Sequence, residues 1–257
     1  MANPQPPRKI TWRQPVVFLV ATLISTVLAI YAVVAAPVDS AAGAATGVSG
    51  LYLAAAIYVP LALWFGIWGC LAGYFSCVLM GLYLSSIGVP GYTLGFILVW
   101  SLADFFEGFV PLLIYRSLKT KPTLKLKRPK ITYGINAALM AVLVASAFFL
   151  VYSYPEAFIV TFALSIILVL AQAAVEDRKT WLTWLPIGVI VASVVSGAFG
   201  VGAMAAFGMI PISIFSNVFF GWVFGDIIVL ATLGTVLTVV FNPYIVRSKI
   251  YVRGYLS

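Results

Sequence analysis

Three acidic residues fall where an acid is hardest to place. Asp104 and Glu107 lie near the middle of residues 90–116, PGYTLGFILVWSLADFFEGFVPLLIYR, and Asp226 lies inside a second apolar stretch, residues 212–241. An ionisable group at membrane depth is costly unless it faces a bundle interior or a wet cavity. No Lys or Arg occurs within any apolar segment to pair with these acids. Two chemistries fit. Either the acids hold a cationic solute or a proton, or each is protonated and bonded to a neighbouring carbonyl with no transport role. Trp100, Asp104, Glu107 and Pro111 fall at i, i+4, i+7 and i+11, which is one face of a helix. Trp100 and Trp222 each precede an Asp by one turn. They read as pocket walls that meet a ligand by stacking or cation–π contact, or as core or lipid-facing packing. The candidate substrate-binding residues are therefore Asp104, Glu107, Asp226, Trp100 and Trp222.

Other chemistry is poorly supplied. The chain has no histidine, which removes the usual metal ligand and general base. Cys70 and Cys77 are two helical turns apart, roughly 10 Å, too far for a disulfide, and read as small packing residues. The expectation is no enzyme, no metal and no cofactor. No phosphate-binding P-loop is present either.

The elements that must position the acids are membrane spans. The chain is 63% hydrophobic and 9% charged with a mean hydropathy of +1.11, which is a polytopic membrane composition with no polar stretch long enough to build a second core. We expect an all-α transmembrane helical bundle, a single integral membrane domain over residues 1–257. Eight spans are predicted: residues 15–36, 51–64, 69–86, 90–116, 131–152, 157–174, 181–198 and 212–241. The acid-bearing helix, residues 91–116, would run about 39 Å, enough to span with some tilt. Residues 1–13 are basic and Pro-rich and lead into a long apolar run, unlike a cleavable signal peptide. Residues 37–49 form a small-residue outside loop, suited to a cap or an idle connector, and residues 200–211 a Gly- and Ala-rich connector, partly re-entrant in one reading. With eight spans every basic cluster falls on one side, including residues 119–130 and the tail bearing Arg247, Lys249 and Arg253. Positive-inside then places both termini in the cytoplasm of a multi-pass cell-membrane protein. The net charge of +8 belongs to these loops, where it sets topology and touches anionic lipid; it is no sign of nucleic-acid binding. Trp12, Tyr92, Trp181, Tyr244 and Tyr251 read as interfacial belt residues.

Trp100-Ser-Leu-Ala-Asp104 is matched by Trp222-Val-Phe-Gly-Asp226, 122 residues later, each following a proline (Pro90, Pro211) by a similar distance. This spacing points to a parallel four-plus-four repeat with halves 14–118 and 131–246. It predicts that Asp104 and Asp226 face one central cavity between the halves, with Glu107 nearby and Trp100 and Trp222 on its wall. The residue matching Glu107 is Val229, so the site would be asymmetric.

On the first helix Ala21, Ser25 and Ala29 recur every fourth residue, a stripe that lets two backbones approach, either within the chain or at a partner interface. This stripe, the small-residue loop after it, the stretch LWFGIWGCLAGY, and the exit through Gly108, Pro111 and Arg116 resemble the membrane substrate-binding (S) components of energy-coupling factor (ECF) importers. In that family the stripe docks on partner subunits and the first outside loop caps a small molecule. The resemblance implies ATPase and coupling subunits as partners. It covers the first half only, and the family has about six helices rather than eight. The leading function is a membrane substrate-binding or transport component for a small polar or cationic solute, working with partner subunits. The alternative is a non-catalytic accessory subunit of a larger membrane complex. The topology is tested by labelling from outside: a cysteine replacing Asp39 should react and one replacing Lys125 should not, and the reverse pattern would invert the protein in the membrane.

Overall fold

The computed structural model describes residues 12–35, 49–122, 124, 126–152 and 154–256; the expected cap loop lies outside the described residues except for its last member, Ser49. The described chain is helical: α1 (Arg13–Ala35), α2 (Ala55–Phe65), α3 (Ile67–Ser86), α4 (Leu94–Trp100), α5 (Leu102–Ser117), α6 (Pro129–Val151), α7 (Pro155–Val175), α8 (Arg178–Thr183), α9 (Ala192–Ala206), α10 (Phe215–Val229) and α11 (Thr235–Ile245). Some of these run end to end. Leu94–Ser117, Arg178–Ala206 and Ile212–Ile245 are each one continuous apolar rod, and with α1, α3, α6 and α7 they make seven helices long enough to cross a membrane among the described residues. Seven of the eight predicted runs coincide in order and place with these helices. The glycine-rich connector does not: residues 200–206 continue α9, and the turn begins only at Phe207.

The second pass differs most. It was expected as a helix over residues 51–64, but α2 has only 11 residues, about 16 Å, roughly half the hydrocarbon thickness. Residues 49–54 lead into α2 without regular helix, and Ser49, Gly50, Leu51, Tyr52 and Ala54 are buried. Irregular backbone at this depth survives only when protein covers it and its polar groups are satisfied. Here Ser49 Oγ donates to the Ala32 carbonyl at 2.9 Å and accepts from the Leu51 amide at 3.1 Å. Gly225 of α10 lies against the Gly50 carbonyl so closely that a Cβ there would sit 2.6 Å from the oxygen. Nearly every residue of α2 is buried, with α1, α3, α5 and α11 packed around it.

Two wide turns interrupt the last two rods, over Trp184–Val191 and Leu230–Gly234. In such π-helical turns the amide reaches back five residues, so an extra residue is accommodated and side chains are re-aimed. The two face each other: the Trp184 indole lies over Gly188, and its N–H donates to Thr235 Oγ1 at 2.8 Å.

The end of the bundle that carries the basic residues is tied by two devices. Glu176, just past α7, accepts from Thr132 Oγ1 at 2.5 Å, from the Arg128 amide at 2.8 Å and from the Lys127 amide, so it fastens the entry of α6. Burial alone would raise its pKa, but these donors outweigh it and hold the carboxyl below the usual range. At the other device the tail folds back over the α2–α3 turn. Val252 N–H donates to the Trp64 carbonyl at 2.9 Å and Ile67 N–H to that of Tyr255 at 2.8 Å. Arg116, at the end of α5, donates to the carbonyls of Gly254 (3.0 Å), Val252 (2.7 Å) and Leu63 (3.2 Å), with the Tyr251 hydroxyl at 3.4 Å.

Ala21, Ser25 and Ala29 are buried in the chain itself, on a helix whose main neighbour is α3. The stripe is an internal seam rather than a free partner face; α1 turns Leu19, Leu23, Val27 and Tyr31 outward instead. Of the expected belt aromatics, Trp12 and Tyr244 are exposed, whereas Tyr92, Trp181 and Tyr251 are buried in the bundle. Because Ser25 is fully buried with its hydroxyl unpartnered, Ser25→Ala should be neutral or slightly stabilising. Ser25→Leu should overpack the seam and cost about 1–3 kcal/mol, read as unfolding of the isolated protein in detergent. A silent Ser25→Leu would show that the seam is open.

Candidate functional site

The three acids are brought to one region at the heart of the bundle. The rod Leu94–Ser117 starts after Thr93, whose side chain caps the amide of Phe96 at 3.3 Å, and it bends at Ser101, whose hydroxyl donates to the Ile97 carbonyl at 2.7 Å. Beyond that point Asp104 and Glu107 point inward, 1% and 0% exposed, with Gly108 and Pro111 buried on the same face. Gly73 and Gly108 permit this depth of packing. A Cβ on Gly73 would sit 3.1 Å from the Asp104 carbonyl, and one on Gly108 would sit 3.0 Å from Ala62.

The irregular half-pass supplies the donors. Tyr52 OH donates to Asp104 Oδ2 at 2.8 Å, and Tyr58 OH donates to Glu107 Oε2. The two phenol rings lie 6.5 Å apart. Asp104 sits near the middle of its rod, so Tyr52 also stands at mid-depth, where α2 begins. Each of these acids still has one oxygen without a partner, Asp104 Oδ1 and Glu107 Oε1. Asp226 is fully buried, and neither of its oxygens has a hydrogen-bond partner. Ser196 of α9 and Trp222 stand beside it, and the three carboxyls lie within electrostatic reach of one another. Groups like these rest in a low-dielectric interior only as neutral acids, with water, or against a cation. Among the described residues, no three acids or cysteines are grouped so as to hold a metal ion.

The tryptophans meet. Trp100 and Trp222 are edge to face, with centroids 6.1 Å apart and planes at 89°. Trp222 N–H donates to Ser196 Oγ at 2.9 Å, and its ring lies over Gly200, where a Cβ would come within 2.5 Å. Trp100 stacks on Phe96 at 5.5 Å and abuts Tyr92 at 5.6 Å, with its own N–H unpartnered. The two W-x-x-x-D segments therefore touch through their aromatic members.

A cavity lies between them, walled by Tyr52, Cys77, Trp100, Asp104 and Trp222. Its free space is about 10 Å³, counted for the centre of a water-sized sphere, which is room for about one water. The expected shared cavity is thus nearly closed, and Asp226 lies beside it rather than on its wall. Tyr52, Tyr58 and Ser196 were not among the residues singled out from the sequence, and Cys77 was read there only as a packing residue. The signal for the tyrosines was two hydroxyls six residues apart within one apolar run, each of which needs a hydrogen-bond partner when buried.

Comparison with known proteins finds no family model, no curated protein and no solved structure that matches this chain significantly. The site is read from its own geometry. Tyr58→Phe removes the phenol hydroxyl that donates to Glu107 while leaving the ring. Unfolding in detergent should report a loss of about 1–3 kcal/mol, against almost none for exposed Tyr133→Phe. Equal effects would mean that the Tyr58–Glu107 bond contributes nothing.

Proposed function

We propose that the protein is a membrane transport or substrate-binding component for a small cationic or polar solute, and that Asp104, Glu107 and Asp226 form its site. The observation that carries this reading is the set of four buried carboxyl oxygens without partners, two of them on Asp226. Buried polar atoms are normally satisfied, and an orphan is explained by strain, function, or a missing water or ion. Four on three neighbouring acids, in rods whose Lys and Arg lie only at their ends, describe a place that accepts positive charge or protons. Tyr52 and Tyr58 then hold one oxygen of Asp104 and of Glu107 in fixed geometry, leaving the other to a ligand. The near absence of free space corresponds to a closed state, in which the irregular segment at residues 49–54 forms one wall. A break of this kind in a transmembrane helix beside a mid-membrane site is a recurrent transporter device.

The chain works with partners in this reading, as the likeness to S components implies, with ATPase and coupling subunits as the class. The stripe Ala21/Ser25/Ala29 is spent inside the chain and cannot be the docking face. The accessory-subunit reading draws on the same cavity: room for about one water suits a protein that stores neutral acids and binds no solute.

Asp104→Asn and Asp226→Asn separate the two. Each keeps shape and much of the hydrogen bonding while removing the charge. Native mass spectrometry of the full chain, extracted in mild detergent, should show a small molecule retained by the wild type and lost from both variants, with thermal stability little changed. Retention of no small molecule by the wild type, together with fixed-stoichiometry association with an unrelated complex, would establish the accessory role instead.

A further inference from the structure

A second cavity lies far from the acids, at the end of the bundle where α5 gives way to the basic loop. It has about 370 Å³ of space for the centre of a water-sized sphere. Arg116, Lys119, Lys121 and Arg253 line it, with Thr120 and Tyr251 between them, and no acidic residue among those described does. Four cationic side chains around one hollow repel each other unless an anion lies among them.

The way the walls are built strengthens that reading. Arg116 is tied to three backbone carbonyls and a phenol, all of them neutral acceptors, so its full charge is left to the hollow. Its ring neighbour Tyr251 lies 5.9 Å from the guanidinium carbon, which fixes the wall on that side. Lys119 has φ +50°, a left-handed conformation that a side chain adopts at a cost and that glycine fills freely. That residue closes α5: its amide donates to the Arg116 carbonyl at 3.0 Å, and the Thr120 amide to that of Tyr115 at 2.9 Å. A lysine at a position made for glycine, turned into a hollow already bearing three more cations, is accounted for by its charge. Arg253 comes from the tail, 137 residues further on, and is placed there because the carbonyls on either side of it, of Val252 and Gly254, are held by Arg116.

We infer that this hollow is a binding site for a phosphate group, monoester or diester. The Arg253 guanidinium and the two ammoniums match its charge and oxygen geometry, as in phosphate sites generally, and Arg116, its donors mostly spent on the protein, adds its charge. Its position at the end of a membrane rod lets the phosphate arrive on an acidic phospholipid or as a free anion. The site stands apart from the carboxyl cluster and does not depend on the transport reading.

The test uses the full chain in neutral detergent, titrated with phosphatidylglycerol, phosphatidylcholine, or inorganic phosphate, and read by native mass spectrometry and thermal shift. The wild type should retain one phosphatidylglycerol at least tenfold better than phosphatidylcholine. The triple variant Lys119→Gln, Lys121→Gln, Arg253→Gln should lose that preference, whereas Arg178→Gln with Lys179→Gln, at another basic turn, should keep it. These side chains are exposed, so folding should hold; raising salt to about 0.5 M with the unaltered protein gives the same weakening without mutation. If inorganic phosphate alone raises the melting temperature and displaces the lipid, the site takes a free anion; if it does neither, the site takes the headgroup. Equal retention of both lipids with no shift from phosphate, or a triple variant that binds as the wild type does, would overturn the inference.

Discussion

The interior of this protein is arranged around carboxyl groups that have no cation to meet them. In an apolar medium such groups must be covered, held by neutral donors, or left for something that arrives later. The chain supplies two phenols for three acids. Both come from the one pass that is not a full helix. A continuous helix through residues 49–54 would carry its side chains on a helical surface, separated by one residue per 100°. The irregular segment instead lets Tyr52 reach Asp104 while Tyr58, on α2, reaches Glu107.

That irregular segment in turn depends on close backbone approach. Gly225, beside Asp226, is what allows α10 to rest on the Gly50 carbonyl. A methyl group there would push the segment away from the acids or the acids away from it. Gly200 does the same for the Trp222 ring, and so for the edge-to-face contact with Trp100. The wide turns in the last two rods lie against each other on the far side of α2, so the rod bearing Asp226 is locked against the rod bearing Ser196. The site is thus a meeting of rigid parts with little slack.

Much of this architecture was legible in the residues. Seven long apolar runs were read as helices, and each is long and apolar enough to cross a membrane. The half-length of α2 was not legible, because residues 51–54, LYLA, are apolar whether they coil or turn. The stripe Ala21/Ser25/Ala29 announced a close neighbour but not that the neighbour was α3, since small residues look the same toward either. The burial of Asp104 and Glu107 on one face followed from their spacing. Their partners did not: Tyr52 is 52 residues from Asp104 in the chain, and a tyrosine in an apolar run reads first as an interfacial one. The matched W-x-x-x-D segments foretold a meeting of the two rods, and the contact proves to be aromatic, with the second Asp beside the cavity and not on it.

The tail that closes over the α2–α3 turn has a consequence for synthesis. Arg116 is bonded to Gly254, 138 residues downstream, and Gly66, at φ +64°, is shaped to fit the carbonyl of Tyr255. A ribosome adding about 5–20 residues per second needs roughly 7–28 s to pass from one partner to the other. For that interval Arg116 has only the Leu63 carbonyl of its four partners in the growing chain. The α2–α3 turn and the end of α5 therefore cannot complete these bonds as they emerge. The segment from Tyr251 to Tyr255 acts as a latch on the α2–α3 turn and the end of α5, which it closes only once it arrives.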